Sequence, residues 1–395
     1  MSVIISGKYH NDDKRTKPHR KIVFFLVLSV FGLRVAGNLT FCDITILITL
    51  LFILLKGYKF SVSELIVPLV FVFLSSIGII FVARGDLVEY VKDLLQISFY
   101  LISAATLSKY ALTNFRQNNI FDSIIYAGIV VSLLGVLQYL LIFFFNINIF
   151  TFISSMGGRD QWVENYIRVS SITQHINHLP LVLFPPLAIS LYRRKYRYAT
   201  LITLGILASG SRSGIAASLV LIYISFFINR NIITLVLTSI IAFCGFSYFI
   251  YGTDFFEKRL AFVASGTVDG STQYRLDLWQ RAWDLVLNYP LFGVGMGQES
   301  WMLKVDNLES SIMQILVNFG FFGLALFLLS ITFVFIKSFR NYSLLGIAMV
   351  LLYIQLIFQP FLFVSVVGPC VMTYSFLFII LQRLRKINDL SKQLA

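Results

Sequence analysis

The strongest chemical expectation concerns Arg212, which lies between two apolar runs. Residues 209–214 read Ser-Gly-Ser-Arg-Ser-Gly, and the flanking sequence is apolar on both sides. An unpaired cation within a bilayer costs about 2.5–3.5 kcal/mol on insertion scales, so such a residue normally faces a cavity and pairs with an anionic group. The small neighbours leave room for a cavity, which disfavours the alternative that Arg212 snorkels to the lipid headgroups. We therefore expect Arg212 to be functional.

Further candidate cations lie in two long polar stretches, residues 146–178 and 252–308. These are Arg159, Arg168, Arg275 and Arg281, and ordinary solvation is the alternative explanation for each of them. Long loops among otherwise tight connections usually have a functional role. We expect the chemistry to lie at this face.

Residues 273–290 have the period of an amphipathic helix, which Pro290 ends. Its apolar stripe is formed by Leu276, Trp279, Trp283, Val286 and Leu287. Two tryptophans on such a stripe suit a helix that lies in the membrane interface, with Arg275 and Arg281 left to face an aqueous site. Asp277, Arg281 and Asp284 share another face, where they could simply pair with each other.

A glycine-rich run follows this helix, with Gly293, Gly295 and Gly297 at alternate positions. It lacks the preceding strand of a nucleotide-binding turn, so it is weak evidence for nucleotide binding. We predict a turn at the membrane surface that lets the backbone approach a neighbouring helix or a substrate. Asp306 and Glu309 then precede the next apolar run, where acidic residues are also favourable simply because a helix begins there.

The composition identifies the class of protein that must position these residues. The chain has 395 residues, of which 57% are hydrophobic and 13% charged, and its mean hydropathy is +0.81. These values exclude an ordinary soluble protein and a disordered chain. Most of the 32 Lys and Arg residues fall in the predicted cytoplasmic loops, so the net charge of +13 indicates membrane orientation rather than nucleic-acid binding. The three isolated cysteines predict neither a metal site nor a disulfide framework.

The hydropathy pattern predicts an all-α, polytopic integral membrane protein with about 12 transmembrane helices. The predicted spans are residues 22–40, 42–56, 63–83, 93–112, 122–145, 178–192, 198–210, 213–229, 231–251, 309–336, 342–360 and 364–382. Residues 198–228 are too few for two full crossings, so one long span is the alternative to two short ones. Two short spans fit the positive-inside rule better and place both termini in the cytoplasm.

These spans divide the chain into predicted blocks. Residues 1–21 form a cytoplasmic basic tail, and 22–145 the N-terminal membrane helices. A periplasmic loop at 146–178 precedes membrane helices at 179–251 that contain the 209–214 turn. A large periplasmic loop with the amphipathic helix occupies 252–308. The C-terminal membrane helices follow at 309–382, with a cytoplasmic tail at 383–395.

Four motifs resemble the O-antigen ligase/polymerase superfamily. The Ser-Arg-Ser-Gly turn is similar to the family's SR-[SG] signature, and residues 274–295 resemble its R…W…A…PLxGxGxG block. Residues 309–323 resemble the helix HNSYLQxLxExGxxG, and residues 168–177 resemble R-x-x-G-x-x-x-[NH]-P-N. The resemblance covers residues 168–323 in the family's order, whereas the first 145 residues match only by span pattern.

Three of this sequence's departures from the family pattern bear on its function. Glu309 stands where ligases have a histidine tied to their transfer chemistry, which favours a polymerase. Ser171 and Ile176 replace the usual Gly and Pro, so the match at His175 is weaker.

The resemblance implies a membrane glycosyltransferase of the bacterial inner membrane that acts at the periplasmic face in lipopolysaccharide O-antigen biosynthesis. Because the sequence has no metal-binding motif, we predict that it is metal-independent. It would transfer the growing glycan from undecaprenyl diphosphate to a new lipid-linked repeat unit, without a cofactor. The implied partners are the undecaprenyl-diphosphate-linked oligosaccharide and the lipid bilayer, with a chain-length regulator as a further candidate, and no nucleic acid.

Arginine is suited to the lipid diphosphate, because its planar guanidinium can bind phosphate oxygens bidentately. Arg212, Arg168 and Arg275 or Arg281 are the expected clamps, with Ser211, Gly293 and Gly295 also expected at the substrate. Glu309 is the first candidate for the general base, with Asp306 and His175 as the next candidates.

Two alternatives stay open. An O-antigen ligase would join finished polymer to the lipid A core. A lipid-linked oligosaccharide flippase or exporter would show unusual residues near the bilayer midplane and inverted repeats, whereas here those residues gather at one face.

Overall fold

A computed structural model of the chain describes its helical body and the segments that join it to the candidate site. The described residues are 34–36, 39–55, 57, 73, 87–114, 117–145, 147, 161–163, 166–171, 173, 177–229, 236, 239–240, 270–296, 298–304, 308, 310–341 and 343–355.

The described part is mostly helical, with two small antiparallel hairpins. The hairpins pair β1 (Arg34–Ala36) with β2 (Leu39–Thr40), and β3 (Gln161–Val163) with β4 (Tyr166–Arg168). The helices are α1 (Phe41–Leu55), α2 (Leu87–Asn114), α3 (Gln117–Phe145), α4 (His178–Tyr192), α5 (Tyr196–Ala208), α6 (Arg212–Asn229), α7 (Gly270–Asn288), α8 (Gln298–Leu303), α9 (Ser311–Asn341) and α10 (Ser343–Gln355).

Two of these helices are long and apolar enough to cross a bilayer, at Asn118–Phe145 and Ser311–Leu329. Shorter apolar helices include His178–Tyr192 and Ser213–Ile228. A helix of 15 residues such as α4 spans about 22 Å, which is less than the hydrocarbon core of about 30 Å. The described part therefore has the character of a helical membrane protein, while the count of twelve spans and the division into loops stay predictions.

Two predicted elements differ from the structure. The end of the predicted span 22–40 is a hairpin, since Arg34–Ala36 pairs with Leu39–Thr40, and residues 22–33 lie outside the described residues. The all-α prediction therefore needs the two hairpins added. In contrast, the region 198–228 consists of two helices, α5 and α6, joined by a turn, rather than one long helix.

Helix α4 is the centre of the main core and packs against α3, α5, α6 and α10. Every residue from His178 to Leu191 is buried, including Pro185 and Pro186 inside the helix. Close approach depends on small residues: an added Cβ at Gly128 of α3 would lie 2.7 Å from Pro186 Cγ, and one at Gly205 of α5 would lie 2.8 Å from Ser132 Cα. These contacts predict tight, glycine-mediated helix packing of the kind common in membranes.

An ion-pair cluster lies at the end of α4 that is predicted to face the cytoplasm. Arg193 Nη1 and Lys195 Nζ lie 2.7 and 2.6 Å from Asp122 Oδ1. Arg193 also donates to the Asn118 carbonyl. The cluster ties the α4–α5 turn to the start of α3, at the opposite end of α4 from His178.

A second core joins α7 to α9. It contains Leu278, Ala282, Leu285 and Val286 of α7 and Leu316 and Val317 of α9. The predicted helix at 273–290 is thus present, but Val286 faces this core and not the lipid. Trp279 is also partly engaged, because its Nε1 donates to the Leu308 carbonyl at 3.0 Å. The exposed apolar stripe is reduced to Leu276, Trp283 and Leu287.

Candidate functional site

The turn that presents Arg212 is built by local hydrogen bonds and one left-handed glycine. Helix α5 ends at Ala208, Gly210 has φ 61°, and α6 begins at Arg212. Ser209 Oγ donates to the Ile206 carbonyl and accepts a hydrogen bond from the Ser211 backbone N–H. Ser211 is 2% exposed. The turn fixes the backbone from which the Arg212 side chain, itself outside the described residues, departs.

The segment that follows β4 packs directly on this turn. The Val169 backbone N–H donates to the Ala208 carbonyl at 3.3 Å. Arg168 is the last residue of β4, and its side chain lies outside the described residues. The fold therefore brings the backbones of two sequence-predicted arginines, Arg168 and Arg212, to one end of the α4–α6 bundle.

Residue 171 is a serine in this chain, whereas the family motif has glycine at this position. Its φ is 51°, a left-handed conformation that costs a non-glycine residue about 1–2 kcal/mol. Two buried hydrogen bonds offset that cost: the Ser171 N–H donates to Gln138 Oε1 at 2.9 Å, and its Oγ donates to the Val131 carbonyl at 3.0 Å. The segment is thereby held on α3.

His178 is a candidate that the sequence did not single out. It is 9% exposed at the first residue of α4, and its Nδ1 lies 3.3 Å from the Thr173 carbonyl. It is also the only ionisable side chain among residues 178–191 of α4. The sequence alone shows this, so His178 could have been selected from it. His175, which was singled out, lies outside the described residues.

The two arginines of the predicted amphipathic helix lie on different faces of α7. Arg275 is half-buried and lies three and seven residues before Leu278 and Ala282, on the face that packs against α9. Arg281 is exposed on the outer polar face, between Asp277 and Asp284. Arg275 is thus the better-placed cation for a site between α7 and the bundle.

The predicted glycine turn contacts α9 at a break in that helix. Gly320 has φ 63° and ψ −166° inside α9, a region open essentially to glycine alone. The N–H groups of Val294 and Gly295 donate to the carbonyls of Val317 and Asn318 at 2.8 and 3.0 Å. In return, the N–H groups of Phe321 and Phe322 donate to the carbonyls of Pro290 and Leu291 at 2.8 and 3.1 Å.

This exchange replaces helical hydrogen bonds one for one. In an unbroken helix, Phe321 and Phe322 would donate to the same two carbonyls, those of Val317 and Asn318. The turn supplies both new donors and both new acceptors, so the break leaves no backbone group of this set unpaired. Gly293, with φ 68°, permits the contact because an added Cβ would lie 2.6 Å from Phe319 N.

Two buried amides sit just before this break. Gln314 is 3% exposed and Asn318 is 0% exposed. Asp306 and Glu309, the predicted carboxylates, lie outside the described residues. Among the residues that the structure describes, no group of three His, Cys, Asp or Glu side chains is placed to hold a metal ion.

One family model matches the segment that contains most of these features. Residues 198–328 match the model described as O-antigen ligase. This match supports the O-antigen ligase/polymerase superfamily. No curated protein matches the chain.

The matched segment begins in α5 and ends in α9, after the Gly320 break. It includes Arg212, Arg275, Glu309, Gly293 and Gly295. Arg168 and His175 lie before it, so the support for Arg168 comes from the contact between Val169 and Ala208. The main core also joins the two ends of the matched segment, since it contains Ala217 of α6 together with Ile315 and Phe319 of α9.

Proposed function

We propose that the chain is an O-antigen polymerase, a glycosyltransferase at the periplasmic face of the bacterial inner membrane. It transfers the growing glycan from undecaprenyl diphosphate to a new lipid-linked repeat unit. The observation that supports this most is the backbone contact of the Arg168 segment with the Arg212 turn, because it brings the backbones of both arginines to one end of the bundle. Both termini are cytoplasmic in this proposal, and a chain-length regulator is a candidate partner.

The reaction needs one bond formed and one broken. The acceptor hydroxyl oxygen attacks the anomeric carbon of the growing glycan, a glycosidic bond forms, and the bond from that carbon to the diphosphate oxygen breaks. Undecaprenyl diphosphate leaves with the bonding electron pair, and the hydroxyl proton passes to the Glu309 carboxylate, with Asp306 or His175 as alternative bases.

The arginines stabilise the charge that develops on the leaving diphosphate. A preorganised cation in a water-poor site contributes a large part of catalysis, and guanidinium forks match phosphate oxygens. Arg212, Arg168 and Arg275 take this role, with Arg281 as the less buried alternative to Arg275. Ser211 and the Gly293–Gly295 turn position substrate beside them, and no metal takes part.

The test is polymerisation by the purified protein supplied with lipid-linked repeat units. Wild-type protein should produce a glycan ladder, and Arg212→Ala should lower its rate by about 100-fold or more, as removal of one charge-stabilising donor does. Arg197→Ala is the matched control, because Arg197 is an exposed arginine of α5 outside the proposed site. The ladder should persist in EDTA. A wild-type protein that makes no ladder but moves the lipid across vesicles would instead be a transporter.

The ligase is the second candidate, since the matched family model bears that description. Glu309, at the position where ligases have histidine, favours the polymerase. A deletion strain separates the two. Loss of a polymerase leaves core capped with a single repeat unit, whereas loss of a ligase leaves uncapped core and accumulated lipid-linked polymer.

A further inference from the structure

The first half of α9 has a polar stripe on one face of an apolar helix. Gln314 and Asn318 of α9 and Ser310, which immediately precedes the helix, are spaced four residues apart, so they lie on the same side. All three are at most 3% exposed. The stripe starts next to Glu309, the candidate general base, and ends at the Gly320 break.

Three of the four side-chain amide atoms of this stripe have no hydrogen-bond partner among the described residues. They are Gln314 Oε1 and both Asn318 side-chain atoms, Oδ1 and Nδ2. A buried polar atom without a partner destabilises the folded state, and native proteins contain few of them. Three such atoms within two turns of one helix therefore require an explanation.

The amide side chains are not needed to pair the backbone groups at the helix break. The Val317 and Asn318 carbonyls accept from Val294 and Gly295, and the Phe321 and Phe322 N–H groups donate to Pro290 and Leu291. The backbone of the break is thus satisfied by the turn alone, and the amide side chains are left over. Discontinuous membrane helices with polar groups at the break are a common place for a ligand site.

The chemistry of these groups selects a neutral ligand rich in hydroxyls. A carboxamide offers an acceptor and two donors without charge, and a sugar hydroxyl both donates and accepts. An anionic or cationic ligand would call for a group of opposite charge, and the stripe has none from Ser310 to Asn318. We propose that Gln314 and Asn318 form a subsite for a sugar of the acceptor repeat unit.

The position of the stripe along α9 favours the acceptor repeat unit over the donor as its ligand. The general base must reach the acceptor hydroxyl, and Glu309 immediately precedes the stripe. The identity of the ligand thus rests on the proposed polymerase function. The three unpartnered amide atoms are closed to solvent in this structure, so a sugar can reach them only when neighbouring groups move aside.

Asn318→Leu is the decisive variant, with Gln314→Met as the second. If the amides were idle, apolar groups of similar size would be neutral or stabilising. We likewise expect Asn318→Leu to keep or raise the melting temperature in detergent. Unlike the replacement of an idle amide, however, it should weaken binding of the undecaprenyl-diphosphate-linked repeat unit about tenfold, the equivalent of one hydrogen-bonded amide. Binding of undecaprenyl diphosphate without sugar should not change.

Gln355→Leu is the matched control. Gln355 is another buried amide, 3% exposed and with Nε2 unpartnered among the described residues, but it lies at the end of α10. Its replacement should leave both lipids bound as in the wild type. Gln314→Met should reproduce the effect of Asn318→Leu if the latter variant does not fold.

The binding measurement separates the two proposals. Wild-type protein that binds the sugar-bearing lipid no better than the bare lipid, or an Asn318→Leu protein that binds both lipids as the wild type does, would overturn the subsite. If the variant loses sugar-dependent binding while the wild type makes no ladder, the subsite stands and the polymerase function fails. In a working polymerase, Asn318→Leu should raise the KM for the acceptor more than it lowers kcat.

Discussion

Two junctions that depend on glycine hold the elements of the candidate site together, and different interactions stabilise them. The α5–α6 turn, residues 209–214, rests against α4 by side-chain packing, with Gly214 beside Pro180. The junction of the 290–295 turn with α9 is made of four backbone hydrogen bonds across the Gly320 break. Side chains can shift by a few tenths of an ångström, whereas a backbone ladder loses its bonds when its spacing changes. The second junction should therefore be the less tolerant of substitution.

The largest effect is expected for Gly320→Ala. Alanine at φ 63°, ψ −166° is strained, and its Cβ would lie 2.6 Å from Pro290 O. Strain and the loss of several backbone hydrogen bonds together predict a loss of about 4 kcal/mol in the free energy of unfolding. Thermal unfolding in detergent measures it, and the glycan ladder should disappear.

Gly135→Ala is the control for that variant. Gly135 lies inside α3, where an added Cβ would make only ordinary contacts, at 3.4 Å from Leu179 Cδ2 and 3.5 Å from Ser171 Cβ. Because alanine favours helix over glycine by about 1 kcal/mol, Gly135→Ala should be neutral or stabilising. Equal behaviour of the two variants would show that the α9 break is not held by the turn.

A smaller effect is expected at the first junction. In Gly214→Ala, the new Cβ would lie 2.6 Å from Pro180 Cγ, so α4 and α6 must separate slightly. Overpacking of this kind costs about 1–3 kcal/mol. The melting temperature should fall less than in Gly320→Ala, but ladder formation should drop because the turn presents Arg212. A larger loss of stability than in Gly320→Ala would reverse the comparison.

The sequence predicted the two junctions to different degrees. Gly210 and Gly214 indicated a turn, and the structure has one between two helices. The glycines at 293 and 295 indicated a turn that approaches a neighbouring helix, and it does contact α9. The break itself was missed, since residues 309–336 were predicted as one span and a glycine inside such an apolar run is an ambiguous signal.

Other differences arise where partners are distant in sequence. The period of residues 273–290 predicted a helix but not which of its two apolar faces meets α9, so Val286 was placed towards the lipid and Leu278 was omitted. The hairpin at 34–40 was hidden by hydrophobicity, although Gly37-Asn38 is a turn dipeptide. The contact between Val169 and Ala208 joins residues far apart in the chain, which local periodicity does not encode.

The smallest expected effect sharpens the comparison at Ser171, which links the Arg168 segment to α3. Ser171→Ala keeps the left-handed strain and loses the hydrogen bond to the Val131 carbonyl, so the free energy of unfolding should fall by about 1 kcal/mol. Ser171→Gly loses the same hydrogen bond but relieves strain of about 1–2 kcal/mol, so its stability should be close to that of the wild type. Thermal unfolding of both variants measures the difference. If both variants are equally destabilised, the Ser171 side-chain hydrogen bond determines the stability of this contact and the left-handed backbone strain does not. The Arg168 segment is then positioned by side-chain hydrogen bonds rather than by backbone conformation.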